Sequence, residues 1–197
     1  MGAIKTMEGL INKIKSSISL SSQAEKHISE ISNVRTISKG EVMIKEEDTV
    51  QDVFFVIDGC LRSFCSDKNG KEHTLQFAIK DWWISDFIAI YANEPATLNV
   101  EAIKDSKVIA FNAKDLDEIH SLFPEFEAFQ RKNLERHIVS LNKRIINHLQ
   151  LTAQERYDLF LNQYPDIEQY VPNYHIASYL GITQESLSRI RAERPIK

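Results

Sequence analysis

Helical and strand-like spacings alternate along the chain and predict its elements. Residues 4–31 carry isolated isoleucines and leucines at helical intervals, which predicts one or two amphipathic helices. Ser22 stands three positions before Glu25, the spacing of a capping box at the start of a helix. At Val34 the apolar pattern changes, and strand-like runs replace the helical spacing.

Short runs rich in β-branched and aromatic residues fill the stretch from Val34 to Phe111, as expected for β-strands. These runs are 42–44, 53–57, 61–64, 73–79 and two short pieces of 100–111 around Asp105-Ser106. Asp58-Gly59 and Asn69-Gly70 lie between such runs and predict hairpin turns. Many short strands with turn residues between them predict a closed or sandwiched antiparallel domain of the jelly-roll type.

Helical spacing returns after the strands, first in a short segment at 112–122. Pro124, a residue favoured in a first helical turn, opens a long helix that runs to about Leu149. Four apolar residues of this helix are spaced by four, three and four positions, as in a coiled-coil seam: Leu134, Ile138, Leu141 and Ile145. A second copy of the helix could cover such a seam. Packing of the helix on its own domain through Ile146 and Leu149 is an alternative that can coexist with the seam.

Residues 172–191 predict two short helices joined by a tight turn. Gly181 has the position of a helix C-cap, and Thr183 has that of an N-cap. Apolar residues give the two helices an inward face: Ile176, Ala177, Leu180, Leu187 and Ile190. A polar strip remains on the outer face of the second helix: Gln184, Glu185, Ser188 and Arg189.

The outer strip has side chains that can read DNA bases. Arg can donate two parallel hydrogen bonds to guanine, and a carboxylate can accept one from the cytosine amino group. A helix-turn-helix would bring these side chains into the major groove on its second helix. The alternative is an αα-hairpin with a solvated face, in which Glu185 and Arg189 form an ordinary i,i+4 ion pair.

Composition narrows the class of protein without deciding between these alternatives. The chain has 197 residues, 43% hydrophobic and 26% charged, which is ordinary for a globular protein. Neither a membrane span nor a signal peptide stands out, so a cytoplasmic protein without membrane contact is predicted. The net charge of −4 gives no global basic field, and positive charge gathers only locally, at Arg189, Arg191 and Arg194.

Residue types that common cofactors and active sites need are sparse. Cys60 and Cys65 are too few for a disulfide framework or for the four thiolates of an iron–sulfur cluster. The six histidines are scattered, which disfavours a haem protein and a cupin-like metalloenzyme. No catalytic triad, carboxylate pair or phosphate loop stands out. The sequence therefore predicts no enzyme, no metal site and no cofactor.

The C-terminal pair of helices resembles a known DNA-recognition segment. Residues 176–190 look like that segment in the Crp/Fnr superfamily of bacterial transcription regulators. The spacing Glu185-x-x-Ser188-Arg189 resembles the base-reading set of the Fnr branch, and Gln184 stands where the Crp branch often has Arg.

The strand region resembles the same superfamily. Lys39-Gly40-Glu41, residues 54–59 and Leu61-Arg62 look like the opening of a cyclic-nucleotide-binding β-roll. Glu46-Glu47-Asp48 stands where the family usually has Glu-Gly-Asp. Together the two resemblances cover roughly residues 34–191.

The resemblance implies an α+β protein in three parts. Residues 1–123 are expected to form N-terminal helices and a β-roll sensor domain, 124–149 a dimerisation helix, and 150–197 a helix-turn-helix DNA-binding domain. The β-wing that many members carry after the recognition helix is absent, which should reduce affinity for DNA. Expected partners are a pseudo-palindromic double-stranded DNA site, a second copy of the chain, and RNA polymerase.

The residues expected at the DNA are Thr183, Gln184, Glu185, Ser186, Ser188, Arg189 and Arg191. The alternative function is a dimeric signalling or interaction module that has the β-roll but does not read DNA.

The resemblance also points to a candidate effector pocket. In the family, a Gly-Glu-Leu cassette and a later Arg bind the ribose and the cyclic phosphate; here Ser85 replaces the glycine, Asp86 the glutamate and Ala96 the Arg. Without that Arg a phosphodiester would lie unpaired in a largely apolar pocket, so control by cyclic AMP is not expected and the effector is unknown. The tryptophans of this stretch line either the pocket or the core. The candidate pocket residues are Trp82, Trp83, Ser85, Asp86, Ala96 and Thr97.

Overall fold

The structure, a computed structural model, describes residues 2–193, with side chains from residue 7 onward. Arg194, predicted to add positive charge after the second helix of the C-terminal pair, lies outside the described residues. The described helices are α1 (Gly2–Lys15), α2 (Ser22–Ile31), α3 (Phe87–Ala92), α4 (Ala113–Leu122), α5 (Pro124–Gln150), α6 (Ala153–Gln163), α7 (Asn173–Leu180) and α8 (Gln184–Ala192), with a 3-10 turn at Ile167–Gln169. The strands are β1 (Ser32–Ile37), β2 (Val42–Ile44), β3 (Asp52–Ser66), β4 (Glu72–Ala78), β5 (Trp83–Ile84) and β6 (Asn99–Asn112).

Two long antiparallel strands, β3 and β6, form the centre of the β-roll and pair with each other along most of their length. β1 and β2 pair with β6, whereas β4 and β5 pair with β3, so the main sheet has the order β1-β6-β3-β4. This antiparallel jelly-roll-like sheet with flanking helices confirms the predicted α+β fold class.

Asp58-Gly59 does not form the predicted hairpin, because β3 runs through it as one strand. The register against β6 shifts on both sides of Asp58, which marks a bulge. Gly59 has φ 106°, and a Cβ there would lie 2.1 Å from Ser106 Oγ, so only glycine lets the two strands approach this closely. The Cys60 N–H donates to Ser106 Oγ at 3.1 Å. The local turn signal therefore bends a long strand instead of ending it.

The other turn and cap predictions have mixed outcomes. Asn69-Gly70 forms the predicted hairpin between β3 and β4. The two strands expected around Asp105-Ser106 are one continuous strand, β6. Glu47 adopts the left-handed conformation, φ 75°, that a turn glycine would otherwise take. The cap of α2 is Ser21 and not the predicted Ser22.

Three apolar clusters fill the molecule. The first lies between one face of the sheet and α1, α2, α4 and the start of α5, and includes Val53 and Phe55. The second fills the other face, inside the roll, around Phe54 and Val56, because successive side chains of a strand point to opposite faces. The third joins β4 to the C-terminal helices around Phe77. The β-roll and the C-terminal helices thus share a core.

Within residues 2–193, no helix is long and apolar enough to cross a bilayer. The same residues contain no group of three or more His, Cys, Asp or Glu side chains arranged as metal ligands. Burial raises the pKa of the Cys60 thiol to about 12, so this thiol stays protonated and behaves as a small core residue.

Candidate nucleic-acid interface and effector cassette

The two helices of the C-terminal pair, α7 and α8, meet across a tight turn. Gly181 ends α7 in the left-handed conformation, φ 67°, and its N–H donates to the carbonyls of Ala177 and Ser178. The Thr183 hydroxyl caps α8 by accepting the Ser186 N–H at 3.2 Å. Both cap predictions are confirmed, so the turn follows from local sequence.

The outer face of α8 carries the predicted polar strip. Leu187 and Ile190 are buried, whereas the four strip residues are exposed: Gln184, Glu185, Ser188 and Arg189. The Glu185 backbone N–H and the Thr183 hydroxyl lower the pKa of the Glu185 carboxyl, so it is ionised. Among the described residues, Glu185 and Arg189 form no ion pair with each other or with another side chain. Both charges of the strip are therefore available to a ligand, contrary to the i,i+4 pair of the hairpin alternative.

Arg191, predicted to contact DNA, instead points into its own domain. One guanidinium nitrogen lies 2.6 Å from a Glu168 carboxylate oxygen. Nε donates to the Tyr157 hydroxyl at 3.1 Å, and Nη1 donates to Asn173 Oδ1 at 2.6 Å. The side chain ties the end of α8 to α6, α7 and the 3-10 turn. This geometry gives Arg191 a positioning role for α8.

Aromatic rings join the helix-turn-helix domain to the β-roll. Phe77 of β4 lies 5.5–6.1 Å, centroid to centroid, from Phe160 of α6, from Tyr164 at the end of that helix and from Tyr179 of α7. Aromatic pairs at these distances stabilise by about 0.5–1.5 kcal/mol each beyond the area that they bury. The C-terminal helices are therefore docked firmly on the β-roll of the same chain.

The docking also satisfies the edge of the sheet. β4 is an edge strand, and α7 covers it. The Thr74 N–H donates to Ser178 Oγ at 2.9 Å, and the Ser178 hydroxyl donates to the Glu72 carbonyl at 2.8 Å. One serine thus replaces part of the missing neighbouring strand, which keeps the edge from pairing with another chain.

A buried guanidinium lies beneath α7 at this contact. Arg62 of β3 is 1% exposed, and its Nη2 lies 2.6 Å from Glu72 and 2.8 Å from Glu101 carboxylate oxygens. Its guanidinium carbon is 3.9 Å from the centre of the Phe64 ring. Nη1 donates to His175 Nδ1 on α7. The network, which we call the Arg62 network, links the two parts of the chain through charge.

His175 contributes to the Arg62 network in its neutral form. Burial and the neighbouring Arg62 charge lower the pKa of His175 to about 3. A neutral imidazole can accept the guanidinium N–H at Nδ1, whereas an imidazolium could not. Sequence reasoning treated His175 as one of several scattered histidines. The signal that could have flagged the network is a lone Arg at an inward position of an apolar strand.

The long helix α5 has one face on its own chain and one face in solvent. Phe126 and Phe129 are buried near its start, and Arg144 donates to the Leu75 carbonyl with its guanidinium 4.8 Å from the Tyr179 ring centre. The four seam residues are 43–59% exposed: Leu134, Ile138, Leu141 and Ile145. Ile146 and Leu149, the alternative own-domain face, are exposed as well, Leu149 by 80%, so that alternative is wrong. The apolar seam has no partner within the described chain.

The carboxylate of Asp86 fills the anion-binding position of the candidate effector cassette. It is 0% exposed, and Oδ1 accepts the N–H groups of Ile88 and Ala89 at 3.0 and 3.1 Å. Oδ2 accepts the N–H groups of Thr97 and Leu98 at 2.7 and 2.9 Å, and the Thr97 hydroxyl at 3.0 Å. Five donors that could bind an external anion are thus directed at a carboxylate of the protein itself.

The six predicted pocket residues separate into two groups. Asp86, Ala96 and Thr97 lie together, and Ser85 beside them donates to the Asp52 carbonyl at 2.7 Å. Trp83 instead packs against Phe55 and Phe111 on the other face of the sheet, and Trp82 packs on Tyr164. Trp82 also packs against the cluster inside the roll that contains Ala96, so Trp83 is the tryptophan that lies away from the cassette.

Comparison with known proteins fits this arrangement. Residues 34–121, which contain the β-roll, match the cyclic nucleotide-binding domain family. The transcriptional activator protein FnrA of Stutzerimonas stutzeri is 24% identical over 172 residues, or 79% of this chain and 68% of FnrA. The structure of FixK2 from Bradyrhizobium japonicum matches with a TM-score of 0.71 at 18% identity, over 83% of this chain and 84% of FixK2.

A further match is the c-di-GMP-responsive global regulator CLP of Xanthomonas campestris, with a TM-score of 0.69 at 11% identity, over 88% of this chain and 91% of CLP. Both solved structures share the fold over more than four fifths of this chain, and FnrA matches over 79% of it. The chain therefore contains a cyclic nucleotide-binding domain and is similar over most of its length to regulators of the Crp/Fnr type.

Cyclic AMP is not expected to bind this chain. Ala96 is buried, its N–H and carbonyl are bonded to the 47–48 backbone, and it offers no charge to a phosphate. Losing the charge-assisted contacts should cost about 3–4 kcal/mol, which weakens binding several-hundred-fold. Isothermal titration of the purified protein with cyclic AMP measures this. Saturable binding with a dissociation constant of low micromolar or tighter would contradict the prediction.

Proposed function

We propose that this protein is a homodimeric, DNA-binding transcription regulator of the Crp/Fnr family that cyclic AMP does not control. The observation that carries the proposal is the outer face of α8. An ionised Glu185 and an Arg189 without an ion-pair partner among the described residues stand one helical turn apart and face solvent. Their side chains complement cytosine and guanine edges in the major groove.

The dimer follows from the exposed seam of α5. Four large apolar side chains in a coiled-coil spacing would remain in water in a monomer. A second copy of the same helix covers them with knobs-into-holes packing, and that pairing fixes the distance between two copies of α8. Two-fold symmetry of the protein predicts two-fold symmetry of the DNA site.

Replacing Arg189 with alanine should weaken binding to the best DNA site by about 1–3 kcal/mol and relax the preference at one base pair. Selection from a random duplex library should first yield a pseudo-palindrome with half-sites about one helical turn apart. Titration of the selected site measures the loss. Arg131→Ala, which removes an exposed Arg of α5 far from α8, is the control and should keep the wild-type affinity. Failure of the library to enrich any sequence at low salt would contradict the proposal.

Leu141→Glu should convert the dimer to monomers, because it places a carboxylate in the apolar seam. Sedimentation at tens of micromolar measures the change of mass. Lys143→Glu puts the same carboxylate on the opposite side of α5 and should leave the dimer intact. A wild type that sediments as a monomer, or a dimer that survives Leu141→Glu, would argue against the seam.

One observation favours a second candidate, a dimeric interaction module that does not read DNA. Arg191 is engaged within its own domain, so α8 presents one cation fewer than the sequence predicted. In that case the seam variant would still give monomers while the library selection stays empty. The two experiments together therefore separate the candidates.

A further inference from the structure

A cavity of about 500 Å³ lies on the face of the sheet opposite the roll interior. Its walls come from α1, β3, β4, β5, α3, α4, α5 and the end of α6. Val53, Trp83, Phe87 and Leu116 give it apolar and aromatic surfaces. Its size falls within the roughly 300–1,000 Å³ of small-molecule sites.

This cavity is separate from the cassette that holds Asp86. Val53 and Trp83 belong to the apolar cluster on the helical side of the sheet, whereas Ala96 and Ile84 belong to the cluster inside the roll. A molecule in the cavity would therefore not touch the five donors around Asp86.

Two polar atoms at the cavity lack hydrogen-bond partners. His120 Nε2 and Asn133 Nδ2 are shielded from solvent, and neither bonds to another group among the described residues. Both side chains line the cavity, from α4 and α5. A buried polar group without a hydrogen-bond partner is costly. A molecule bound in the cavity could supply the partners that the protein does not give these two atoms.

The charges around the cavity nearly cancel. Lys13 pairs with Asp81 at 3.4 Å, and the remaining charged lining residues, Asp117 and Arg136, have opposite signs. Burial lowers the pKa values of His120 and His137, so both imidazoles are neutral near pH 7. An ionic ligand would gain little electrostatic attraction here and would lose the hydration of its charge. An uncharged ligand has no such hydration to lose.

We propose that this cavity binds an uncharged, planar, largely apolar organic molecule with a carbonyl-type acceptor for the Asn133 amide. The aromatic walls suit a flat ring, since Trp83, Phe87 and Tyr91 surround it. The bound molecule would contact α5 next to the seam residue Leu134 and also Gln163 of the DNA-binding part. Binding itself does not depend on the proposed function; any effect on DNA does.

The neutral, planar ketone 6-propionyl-2-dimethylaminonaphthalene is a suitable probe for the full-length protein. Trp82 and Trp83 are the two tryptophans of the sequence, and both line the cavity. We expect saturable binding of one probe per chain, with energy transfer from tryptophan to the probe. Absence of saturable transfer would overturn the proposal.

Two variants locate the probe. Ala113→Phe fills the cavity from α4 and should weaken binding about tenfold or more, whereas Lys114→Phe adds the same ring at the next, exposed position and should not. Asn133→Leu removes the proposed donor and should weaken binding about threefold to tenfold without lowering the melting temperature of the unliganded protein. Glu135→Leu on the solvent side of α5 is its control.

The outcomes are distinct. Equal affinity for wild type and a folded Ala113→Phe would place the probe elsewhere and overturn the proposal. Binding by the monomeric Leu141→Glu variant but not by the wild-type dimer would show that the second copy fills the cavity, which also overturns it. None of these results depends on the library selection, so failure of DNA recognition remains a separate finding.

Discussion

Replacing Arg62 with methionine is expected to lower the free energy of unfolding by about 3–5 kcal/mol. The guanidinium lies between two carboxylates and His175, so its loss leaves the carboxylates of Glu72 and Glu101 facing each other without a cation. Methionine keeps most of the side-chain volume, which isolates the electrostatic contribution from that of a cavity. Urea unfolding followed by circular dichroism measures the loss.

The control for this prediction is the same substitution at an exposed site. Arg35 of β1 lies 3.8 Å from Asp52 and has a partly exposed side chain. Arg35→Met should cost at most about 1 kcal/mol, because surface ion pairs contribute little. Similar losses for the two variants would show that the Arg62 network does not hold the two parts of the chain together. A smaller loss for Arg62→Met when Glu101→Gln is also present would locate the cost in the unpaired carboxylate.

Asp86→Ala is the second substitution with a large expected effect, a loss of about 3 kcal/mol or more in the free energy of unfolding. The variant removes a helix cap and deprives four backbone N–H groups of their acceptor. Thr97 lies at the surface, so its groups can return to water, whereas the N–H of Ala89 remains buried. The loss should therefore fall short of four full desolvation penalties.

Ser85→Ala is the neighbouring control for Asp86. It removes one hydrogen bond, to the Asp52 carbonyl, and should cost about 1 kcal/mol. Asp86→Asn should fall between the two, because its amide keeps one acceptor oxygen but turns an NH₂ group toward backbone donors. An Asp86→Ala protein no less stable than Ser85→Ala would mean that the carboxylate is not what closes the cassette.

Features governed by neighbouring residues could be predicted from the sequence. Gly181 and Thr183 cap their helices as expected, since both caps use bonds within a few positions. The spacing of Leu134 and Ile138 likewise placed them on one face of α5. The hairpin predicted at Asp58-Gly59 was wrong, because the same dipeptide suits both a turn and a β-bulge. The pairing of β3 with the distant strand β6 makes it a bulge.

Features that depend on distant contacts could not be predicted. Arg62 and His175 are 113 positions apart, so no periodicity connects them. Alignment assigned Asp86 the place of a ligand-binding glutamate, but its donors at Thr97 and Leu98 reach it only after the chain has folded back. Arg191 lies in the same helix as Arg189, yet its side chain points into its own domain, because its ion-pair partner Glu168 lies there.

The shared core around Phe77 has a consequence for synthesis of the chain. Tyr179, one of the rings that cover Phe77, follows it by about 100 residues and leaves the ribosome about 5–20 s later at ordinary elongation rates. During that interval the roll can form, but β4 still presents an uncovered edge and an apolar ring to solvent. Nascent chains on one messenger RNA are close to each other at this stage. Until α7 has been synthesised, association between the β4 edges of two copies therefore competes with correct folding.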